Sequence, residues 1–175
     1  MEKQEHHTHN LSIYDILRDL NIEYEKIEHP PVFTVEDLEV FTKGVNAGES
    51  KNLLLRNDKG SIHYLIVAET KTEVNLKQLA SLLNEKKLSF ASTERLEKYL
   101  GVTPGAVSPF GLINDATKSV RVIIDNKLLA HERLAYHPNV NTATLILATA
   151  DLKKFLASTG NSIRYMQLVA GFEQN

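Results

Sequence analysis

The sequence predicts an α+β fold, a single domain in which helices surround a mixed β-sheet core. Amphipathic helical segments are interleaved with apolar strand segments along the whole chain. Several strand segments follow one another directly as hairpins, so a doubly wound parallel sheet is not expected. The 175 residues also have the length of one ordinary domain, with neither a linker nor an internal repeat.

The first part of the chain is predicted to contain a tail, two helices and a strand. Residues 1–10 form a flexible tail, in which three histidines are only a compositional hint of metal binding. Apolar residues at helical spacing predict a helix over 12–20, and imperfect alternation predicts a strand over 22–28 that ends at His29-Pro30-Pro31. Thr34 is expected to cap a helix over 35–41, and the glycine-bearing segment 43–50 is expected to be a loop.

The central part is predicted to form a hairpin followed by two helices and a short strand. Apolar runs at 52–56 and 63–68 flank an Asn/Asp/Gly turn, and the second run is apolar on both faces, as in a central strand. Asn75 is expected to cap a helix with Leu76, Leu79, Leu82 and Leu83 on one side. A strand over 88–91 and a helix from Ser92 to a terminal Gly101 follow.

The last part is predicted to be mainly strands. Residues 101–111 carry three glycines and two prolines and are expected to form neither helix nor plain strand. Strands are expected at 119–125 and 127–130 around a short turn, at 142–147 and at 163–168. Thr149 is expected to cap a helix over 150–158.

Composition and charge exclude several classes of protein. The chain has 20 Lys and Arg against 22 Asp and Glu, a balance that argues against a strongly basic nucleic-acid wrapper. It has no cysteine, which excludes a disulfide framework, a thiolate metal site and a cysteine nucleophile. No apolar run approaches the ~20 residues of a membrane span, and the N-terminus lacks the apolar core of a signal peptide. We therefore expect a cytoplasmic protein with no membrane partner.

Three features are candidates for a functional site, and each also has a structural interpretation. Lys51 precedes an apolar strand, where it is either a solvated flanking charge or a fixed cation that stabilises a phosphate or an oxyanion. The segment 101–111 is either a plain connection or a loop whose backbone approaches a ligand closely. His137 is either a structural residue or a group that transfers a proton or hydrogen-bonds a substrate. Together they indicate an α+β domain with a pocket for a small molecule or an acyl group.

The usual motifs of nucleotide binding and covalent catalysis are missing. There is no P-loop, no dinucleotide fingerprint after a strand, no HExxH and no GxSxG nucleophile elbow. Ser108 could act as an acyl-forming nucleophile, but no His–Asp pair can be assigned to activate it.

Five segments occur in this order along the chain: His29-Pro30-Pro31-Val32-Phe33-Thr34, Ser50-Lys51-Asn52-Leu53-Leu54-Leu55, Leu88-Ser89-Phe90-Ala91-Ser92, Gly101 to Asp115, and His137-Pro138 with Asn141-Thr142-Ala143. In their residues and their order, they closely resemble the motifs of the YbaK/prolyl-tRNA synthetase-associated editing family. The resemblance covers about residues 11–168, within a domain assigned to 11–175. Within the family, the chain looks most like the free-standing branch that deacylates Ala-tRNA(Pro). It departs from that branch where Glu49-Ser50 stand in place of a usual His-Thr.

The resemblance implies a second, hydrolytic site for an error of prolyl-tRNA synthetase. The hydrophobic amino-acid pocket of a synthetase discriminates between side chains of similar size by only ~10–200-fold. Alanine, which is smaller than proline, is therefore mischarged and has to be removed at a second site. By analogy, the catalytic residues are Lys51, Asn52 and His137, and Lys51 anchors a phosphate of the terminal adenosine or the aminoacyl carbonyl. The family's GXXXP loop, which holds the aminoacyl end, corresponds to Gly105, Ala106, Val107, Ser108 and Pro109.

The resemblance also suggests how the substrate is selected and cleaved. Val32, Phe33 and Thr34 are candidate pocket walls that exclude larger side chains. Hydrolysis in the family uses a water positioned with help from the terminal ribose 2′-hydroxyl, so neither a metal nor another cofactor is implied.

The expected partners are the acceptor end of mischarged tRNA(Pro) and, as a further partner, prolyl-tRNA synthetase. An RNA ligand calls for a basic surface, which Lys43, Lys51, Arg56, Lys71, Lys118 and Arg121 could supply if they cluster. Two alternatives stay open: a deacylase for Cys- or Ser-tRNA, and a non-catalytic module that binds aminoacyl-tRNA or the synthetase. The oligomeric state is not predicted.

Overall fold

The computed structural model describes residues 11–168. The predicted tail at 1–10 and the end of the assigned domain at 169–175 lie outside the described residues. The α-helices are α1 Ile13–Asp19, α2 Val35–Thr42, α3 Leu76–Leu82, α4 Thr93–Leu100 and α5 Thr149–Ser158. The strands are β1 Tyr24–Glu28, β2 Gly48–Asn57, β3 His63–Glu69, β4 Leu88–Phe90, β5 Arg121–Asp125, β6 Arg133–Tyr136, β7 Ala143–Ala148 and β8 Ile163–Met166. Two 3₁₀ helices span Pro109–Asn114 and Asn126–Ala130.

The strands form one mixed sheet, which confirms the predicted α+β class. Its order is β1-β7-β6-β2-β3-β5-β8, and β4 also pairs with β2. The β2/β3 hairpin is antiparallel, whereas β2/β6, β3/β5 and β5/β8 are parallel. None of the described helices is both long and apolar enough to cross a lipid bilayer.

Strand β2 changes its neighbours along its length, and this change opens a space in the sheet. β6 pairs only with Gly48 and Glu49, whereas β4 pairs only with residues 55–57 on the same edge. The other edge of β2 is occupied by β3 from Ser50 to Arg56. The N–H of Ala91, just after β4, also donates to the carbonyl of Leu54. Between β6 and β4, the described strands therefore leave residues 50–53 of β2 with one free edge.

Two apolar clusters cover the two faces of this sheet. Side chains alternate between faces along a strand, so Leu54 of β2 belongs to one cluster and Leu55 to the other. The first cluster includes buried residues of α1, α4 and α5, and the second includes Leu79 of α3. The helices thus lie on both faces, and the free edge of β2 opens toward the first.

Several local predictions are confirmed by the capping geometry. The hydroxyl of Thr34 accepts a hydrogen bond from Asp37 N–H at the start of α2, as predicted. Asn75 caps α3 and Ser92 caps α4 through their side chains. Gly101 ends α4 in the left-handed conformation with φ 63°, which only glycine adopts without a steric penalty.

Four local predictions are wrong, and in three of them a contact from a more distant part of the chain decides the structure. The predicted loop 43–50 ends early because Gly48 already pairs with β6. Residues 127–130 form a 3₁₀ helix, and the strand of this region is β6, whose partners are β2 and β7. The segment 101–111 enters a 3₁₀ helix at Pro109, after its cap Ser108. Thr149 is the first residue of α5, and its hydroxyl donates to the carbonyl of His131 instead of capping.

The predicted apolar side of α3 is also only partly correct. Leu79 is buried in the second cluster, and Leu76 and Leu83 pack against it. Leu82 instead has an exposed fraction of 50%. At 3.6 residues per turn, Leu76 and Leu83 lie about 40–60° to one side of Leu79 and Leu82 lies about 60° to the other side, so Leu82 is at the edge of the apolar face.

His63 is a buried base whose titration links stability to pH. Burial lowers its pKa to about 4, and the positive charges of Arg95, Lys98 and Arg56 act in the same direction. Its pKa in an unfolded chain is about 6.5. The unfolded chain therefore binds the proton more readily, and the associated stability is present above about pH 6.5 and lost progressively toward pH 4.

We predict that the free energy of unfolding falls by about 2 kcal/mol between pH 7 and pH 5 because of this residue. Urea denaturation at the two pH values measures it. The variant His63→Gln, which has no titrating group, should lose correspondingly less over the same interval. An equal loss in both proteins would assign the pH dependence to other groups.

Candidate functional site

A cavity of about 180 Å³ lies beside the free edge of β2. Its walls come from the segment that enters α2, from β2, from the loop that follows α4 and from the end of β6. Ten residues line it: Val32, Phe33, Thr34, Val35, Leu38, Ser50, Asn52, Gly105, Val107 and His137. Pockets for drug-sized ligands have about 300–1,000 Å³, so this cavity suits a smaller group, such as an aminoacyl end.

The structure brings together most of the residues singled out in the sequence, but not all of them. Seven line the cavity: Val32, Phe33, Thr34, Asn52, Gly105, Val107 and His137. Four do not: Lys51, Ala106, Ser108 and Pro109. Three further lining residues were missed by the sequence analysis: Val35, Leu38 and Ser50. Among these, Leu38 had a signal, because it lies on the apolar side predicted for α2.

The first wall of the cavity consists of Val32, Phe33 and Thr34, and the capping box of α2 holds it in place. The Asp37 carboxylate accepts hydrogen bonds from the N–H groups of Phe33 and Thr34, both at 3.2 Å. These bonds, led by the one from Phe33, lower the pKa of Asp37. Val32 is buried, whereas Phe33 is 72% exposed at the cavity mouth. The cap therefore fixes the backbone of all three wall residues, but only Val32 is enclosed.

The second wall is the loop that contains Gly105. This residue has φ +89°, and a Cβ placed on it would lie 3.4 Å from the ring of Phe33. The N–H of Ala106 donates to the carbonyl of Thr103. Within residues 11–168, the N–H groups of Gly105 and Val107 donate to no other protein group. The loop thus approaches the first wall closely and offers two backbone donors.

Ser108 serves this loop structurally. Its side chain is fully buried, and its hydroxyl accepts a hydrogen bond of 3.1 Å from Phe110 N–H. Pro109 then begins the 3₁₀ helix, and Ala106 is buried in the first apolar cluster. A buried capping hydroxyl outside the cavity is not placed to attack a ligand.

The two walls are tied together by the segment that follows His137. The side-chain amide of Asn141 donates to the carbonyl of Val32 at 3.2 Å, and the N–H of Val32 donates back to the carbonyl of Asn141 at 3.2 Å. Asn139 donates to the carbonyl of Phe110 at 3.3 Å. One short segment therefore holds both walls in register.

His137 presents a neutral imidazole to the cavity. Its Nδ1 lies 2.9 Å from the carbonyl oxygen of Ala143, which can only accept, so Nδ1 carries the hydrogen. Burial lowers the pKa of His137 below its usual value, and the neighbouring His29 acts in the same direction. At neutral pH the other nitrogen, Nε2, is consequently an unprotonated acceptor.

His29 supports this arrangement and was not assigned a role from the sequence. Its Nδ1 donates to the carbonyl of Pro30 at 2.9 Å, and its Nε2 accepts from the hydroxyl of Thr144 at 2.9 Å. Its ring stacks on Phe41 of α2 at 5.5 Å and lies 5.9 Å from the ring of His137. Because Thr144 is 115 positions away, sequence spacing carries no signal for this contact.

Strand alternation separates Lys51 from its two neighbours. Ser50 and Asn52 point to the cavity face of β2, and Leu54 continues that face into the first apolar cluster. Lys51 has the opposite parity, in line with Leu53 and Leu55, and pairs with Ala68 of β3. Its side chain is half-buried and does not line the cavity. The proposed anchoring role of Lys51 stays a prediction.

The described residues of this region do not form a set of ligands for a metal ion. Among residues 11–168, no group of three or more His, Cys, Asp or Glu side chains is arranged to hold a metal ion. The polar groups of the cavity are instead the neutral imidazole of His137, the amide of Asn52, the hydroxyls of Thr34 and Ser50, and backbone N–H groups. This set can bind and polarise a small neutral carbonyl compound.

Several known proteins are similar to this chain in sequence or in fold. A prolyl-tRNA editing protein, ProX, of Acetoanaerobium sticklandii is 44% identical over 87% of this chain and 93% of its own length. The proline–tRNA ligase of Bacillus subtilis is 27% identical over 75% of this chain but only 23% of the ligase. A solved structure described as a candidate trans-editing enzyme for prolyl tRNA synthetase superposes with a TM-score of 0.65 at 20% identity, covering 85% of this chain and 87% of that one.

The family model for the aminoacyl-tRNA editing domain matches residues 29–155, from the histidine beside the first cavity wall to the middle of α5. That range contains all ten residues that line the cavity. With the match to more than half of its length and a relative of 44% identity, the chain belongs to the aminoacyl-tRNA editing domain family.

Proposed function

We propose that this protein hydrolyses the ester bond of mischarged Ala-tRNA(Pro) and acts in trans on errors of prolyl-tRNA synthetase. The observation that carries the proposal is the cavity of about 180 Å³ with apolar walls, one neutral histidine and two free backbone donors. The similarity to a prolyl-tRNA editing protein over nearly the whole chain supports the same activity. Because the substrate is a charged tRNA, we also propose a cytoplasmic location.

The glycine loop is suited to bind the aminoacyl carbonyl. In the tetrahedral intermediate, the carbonyl oxygen becomes an oxyanion that preorganised N–H donors stabilise. Gly105 and Val107 both line the cavity, and their N–H groups have no other partner among the described residues. Alanine's methyl group would then lie against Val32, Leu38 and Val107.

Hydrolysis by this site uses water as the nucleophile. The water oxygen bonds to the ester carbonyl carbon, the carbon–oxygen bond to the terminal ribose breaks, and the proton from water passes to the ribose oxygen. His137 Nε2 accepts a hydrogen bond from the water or from the aminoacyl group. The buried, capping hydroxyl of Ser108 supports a route without an acyl-enzyme.

The decisive experiment follows amino-acid release from Ala-tRNA(Pro), Pro-tRNA(Pro) and Cys-tRNA(Pro). We expect hydrolysis of the alanyl ester and sparing of the prolyl ester. The variant His131→Ala is a suitable control, because this exposed histidine lies outside the cavity. Equal hydrolysis of the alanyl and prolyl esters would contradict the proposal. Preferential release of cysteine would favour the alternative specificity, and binding without release would favour a non-catalytic module.

Proline is excluded by size in this proposal, and Val32 is the residue expected to matter most. Forcing extra methylenes into a rigid interior costs ~1–3 kcal/mol, or roughly 5–150-fold in selectivity. We predict that Val32→Ala lowers the ratio of Ala- to Pro-tRNA(Pro) hydrolysis several-fold. Phe33→Ala and Thr34→Ala should change it less, because Phe33 is exposed and the Thr34 hydroxyl caps α2.

Val40→Ala is the matched control for this series. Val40 lies on α2, is 72% exposed and does not line the cavity. Its replacement should leave the hydrolysis ratio unchanged. If none of the three wall variants changes the ratio, size exclusion depends on another part of the cavity.

For Lys51 the geometry favours contact with a phosphate outside the cavity over contact with the carbonyl inside it. We therefore predict that Lys51→Ala mainly raises KM, by about tenfold or more, since a hydrogen bond to a charged group contributes ~1.5–3 kcal/mol. Lys51→Arg should retain most of the affinity. Steady-state kinetics with Ala-tRNA(Pro) separates the two roles, because a loss confined to kcat would instead place Lys51 at the carbonyl.

A further inference from the structure

Three cations gather around two stacked rings at the end of the β2/β3 hairpin. Arg56 of β2 lies directly opposite His63 of β3, and an Arg95 guanidinium nitrogen of α4 lies 2.7 Å from His63 Nε2. The ring of Tyr99 stacks on His63 at 4.0 Å, and the Lys98 ammonium lies 5.1 Å above the Tyr99 ring. We call Arg56, Arg95 and Lys98 the cationic cluster.

The positive charge of this cluster is not neutralised within the described part of the chain. Arg56 donates to the carbonyls of Asn57 and Asp58, and Arg95 donates to the carbonyl of Gly60. Neither these arginines nor Lys98 forms an ion pair among residues 11–168, whereas Arg18, Lys26 and Arg133 each pair with a carboxylate. The base at the centre, His63, is neutral above about pH 4. Glu94 and Glu97 also lie on α4, but the three cations have no ion-pair partner among the described residues and remain available to an anionic ligand.

The cluster shares a strand face with the cavity. Ser50 and Asn52 line the cavity, and Arg56 has the same parity on β2, about 13 Å beyond Asn52 at ~3.3 Å per residue. Helix α4, which carries Arg95 and Lys98, leads directly through Gly101 into the loop of Gly105. Leu54, which lies between them on this face, is buried in the first apolar cluster, so a ligand bound in the cavity has to pass over the outer surface of the protein to reach the cluster.

The opposite side of the cavity has the reverse charge. Helix α2 carries Glu36, Asp37 and Glu39, and a neighbouring surface depression is lined by Glu36, Glu39 and Glu49 against a single cation, Lys43. A polyanion is repelled on that side and attracted on the side of the cluster. This polarity reconciles a net charge of −2 with an RNA substrate.

We propose that the cationic cluster binds backbone phosphates of the RNA acceptor end whose terminal ester occupies the cavity. The inference rests on the proposed function, and it adds the surface along which the RNA lies. Of the six cations considered in the sequence analysis, Arg56 belongs to this surface; Arg95 and Lys98 were not considered there.

The test measures binding of an uncharged acceptor-stem minihelix of tRNA(Pro) by fluorescence anisotropy at several salt concentrations. We expect Arg56→Gln and Lys98→Gln each to weaken binding several-fold at low salt. Each should also reduce the slope of log K against log[salt] by roughly 0.7–0.9, the value for one lost phosphate contact. Arg56→Lys keeps the charge and should retain binding.

Lys153→Gln is the matched control, because Lys153 also lies on a helix with its ammonium 5.8 Å from a tyrosine ring, that of Tyr165. It should bind as the unchanged protein does. Melting temperatures of all variants identify any loss of folding, and Arg95 is left intact because it also holds Gly60.

Deacylation of Ala-tRNA(Pro) and of 3′-O-alanyl-adenosine separates this inference from the proposed function. We expect the Gln variants to lose kcat/KM on the tRNA and to keep it on the small ester. Unchanged minihelix binding in both variants, or equal losses on both substrates, would overturn the role of the cluster. Salt-sensitive binding that depends on the cluster, together with no hydrolysis of either ester, would instead overturn the proposed function and leave the RNA surface standing.

Discussion

Gly105→Val is expected to abolish deacylation, with a loss of at least ~1000-fold, while the protein still folds. Gly105 has φ +89°, a conformation that costs an L-residue ~1–2 kcal/mol, and β-branched side chains resist it most. A Cβ there is in van der Waals contact with the Phe33 ring at 3.4 Å and with the carbonyl of Val32 at 3.8 Å, and the valine methyl groups extend beyond it. The strained backbone is expected to shift the loop and its two backbone donors, each of which contributes ~100–1000-fold when it serves an oxyanion.

Gly44→Val separates the cavity effect from the backbone effect. Gly44 also has a positive φ, +84°, but a Cβ placed on it meets no atom within 4 Å. Both variants should lower the melting temperature by a few degrees, since 1 kcal/mol corresponds to ~2–4 °C in a domain of this size. Only Gly105→Val should lose activity in single-turnover assays with Ala-tRNA(Pro). Normal deacylation by folded Gly105→Val would remove the loop from the mechanism.

Elements specified by neighbouring residues could be predicted from the sequence. The cap of α2 requires only Thr34 and Asp37, three positions apart, and the end of α4 requires a glycine at position 101. The β2/β3 hairpin follows from two apolar runs and the turn between them. In each case, the residues that determine the geometry lie within a few positions of one another.

Elements specified by distant residues could not be predicted in this way. β6 has only four residues, and its pairing with Gly48 and Glu49 spans more than 80 positions. That pairing also explains why the first residues of β2 are a strand instead of a loop. Local propensity carries no information about a partner of this kind, because tertiary contacts override it.

In the candidate site, too, features that local sequence specifies could be predicted, and features that depend on distant residues could not. Motif resemblance identified His137, Asn52 and the glycine loop, because their identity is read directly from the sequence. It could not show that Lys51 lies on the other face of β2 from Asn52, which depends on the register with β3. The role of His29 beside His137 could not be predicted either, because its Nε2 is bonded to Thr144, 115 positions away.

His137→Ala is expected to lower kcat for Ala-tRNA(Pro) by about 100- to 10,000-fold, the range for loss of a positioned proton acceptor. The imidazole lines the cavity with Nδ1 bonded to the Ala143 carbonyl, which leaves Nε2 as the acceptor. Because burial lowers the pKa of His137, this acceptor stays unprotonated at neutral pH.

The pH profile of kcat tests whether Nε2 acts as that acceptor. Protonation of a group with a lowered pKa removes the activity as the pH falls, so the unchanged enzyme should lose kcat on an acid limb whose midpoint lies below the pKa of an ordinary histidine. In His137→Ala the residual rate should lack this limb, whereas His131→Ala should retain both the limb and the rate. An acid limb that persists in His137→Ala with near-normal kcat would show that another group accepts the proton.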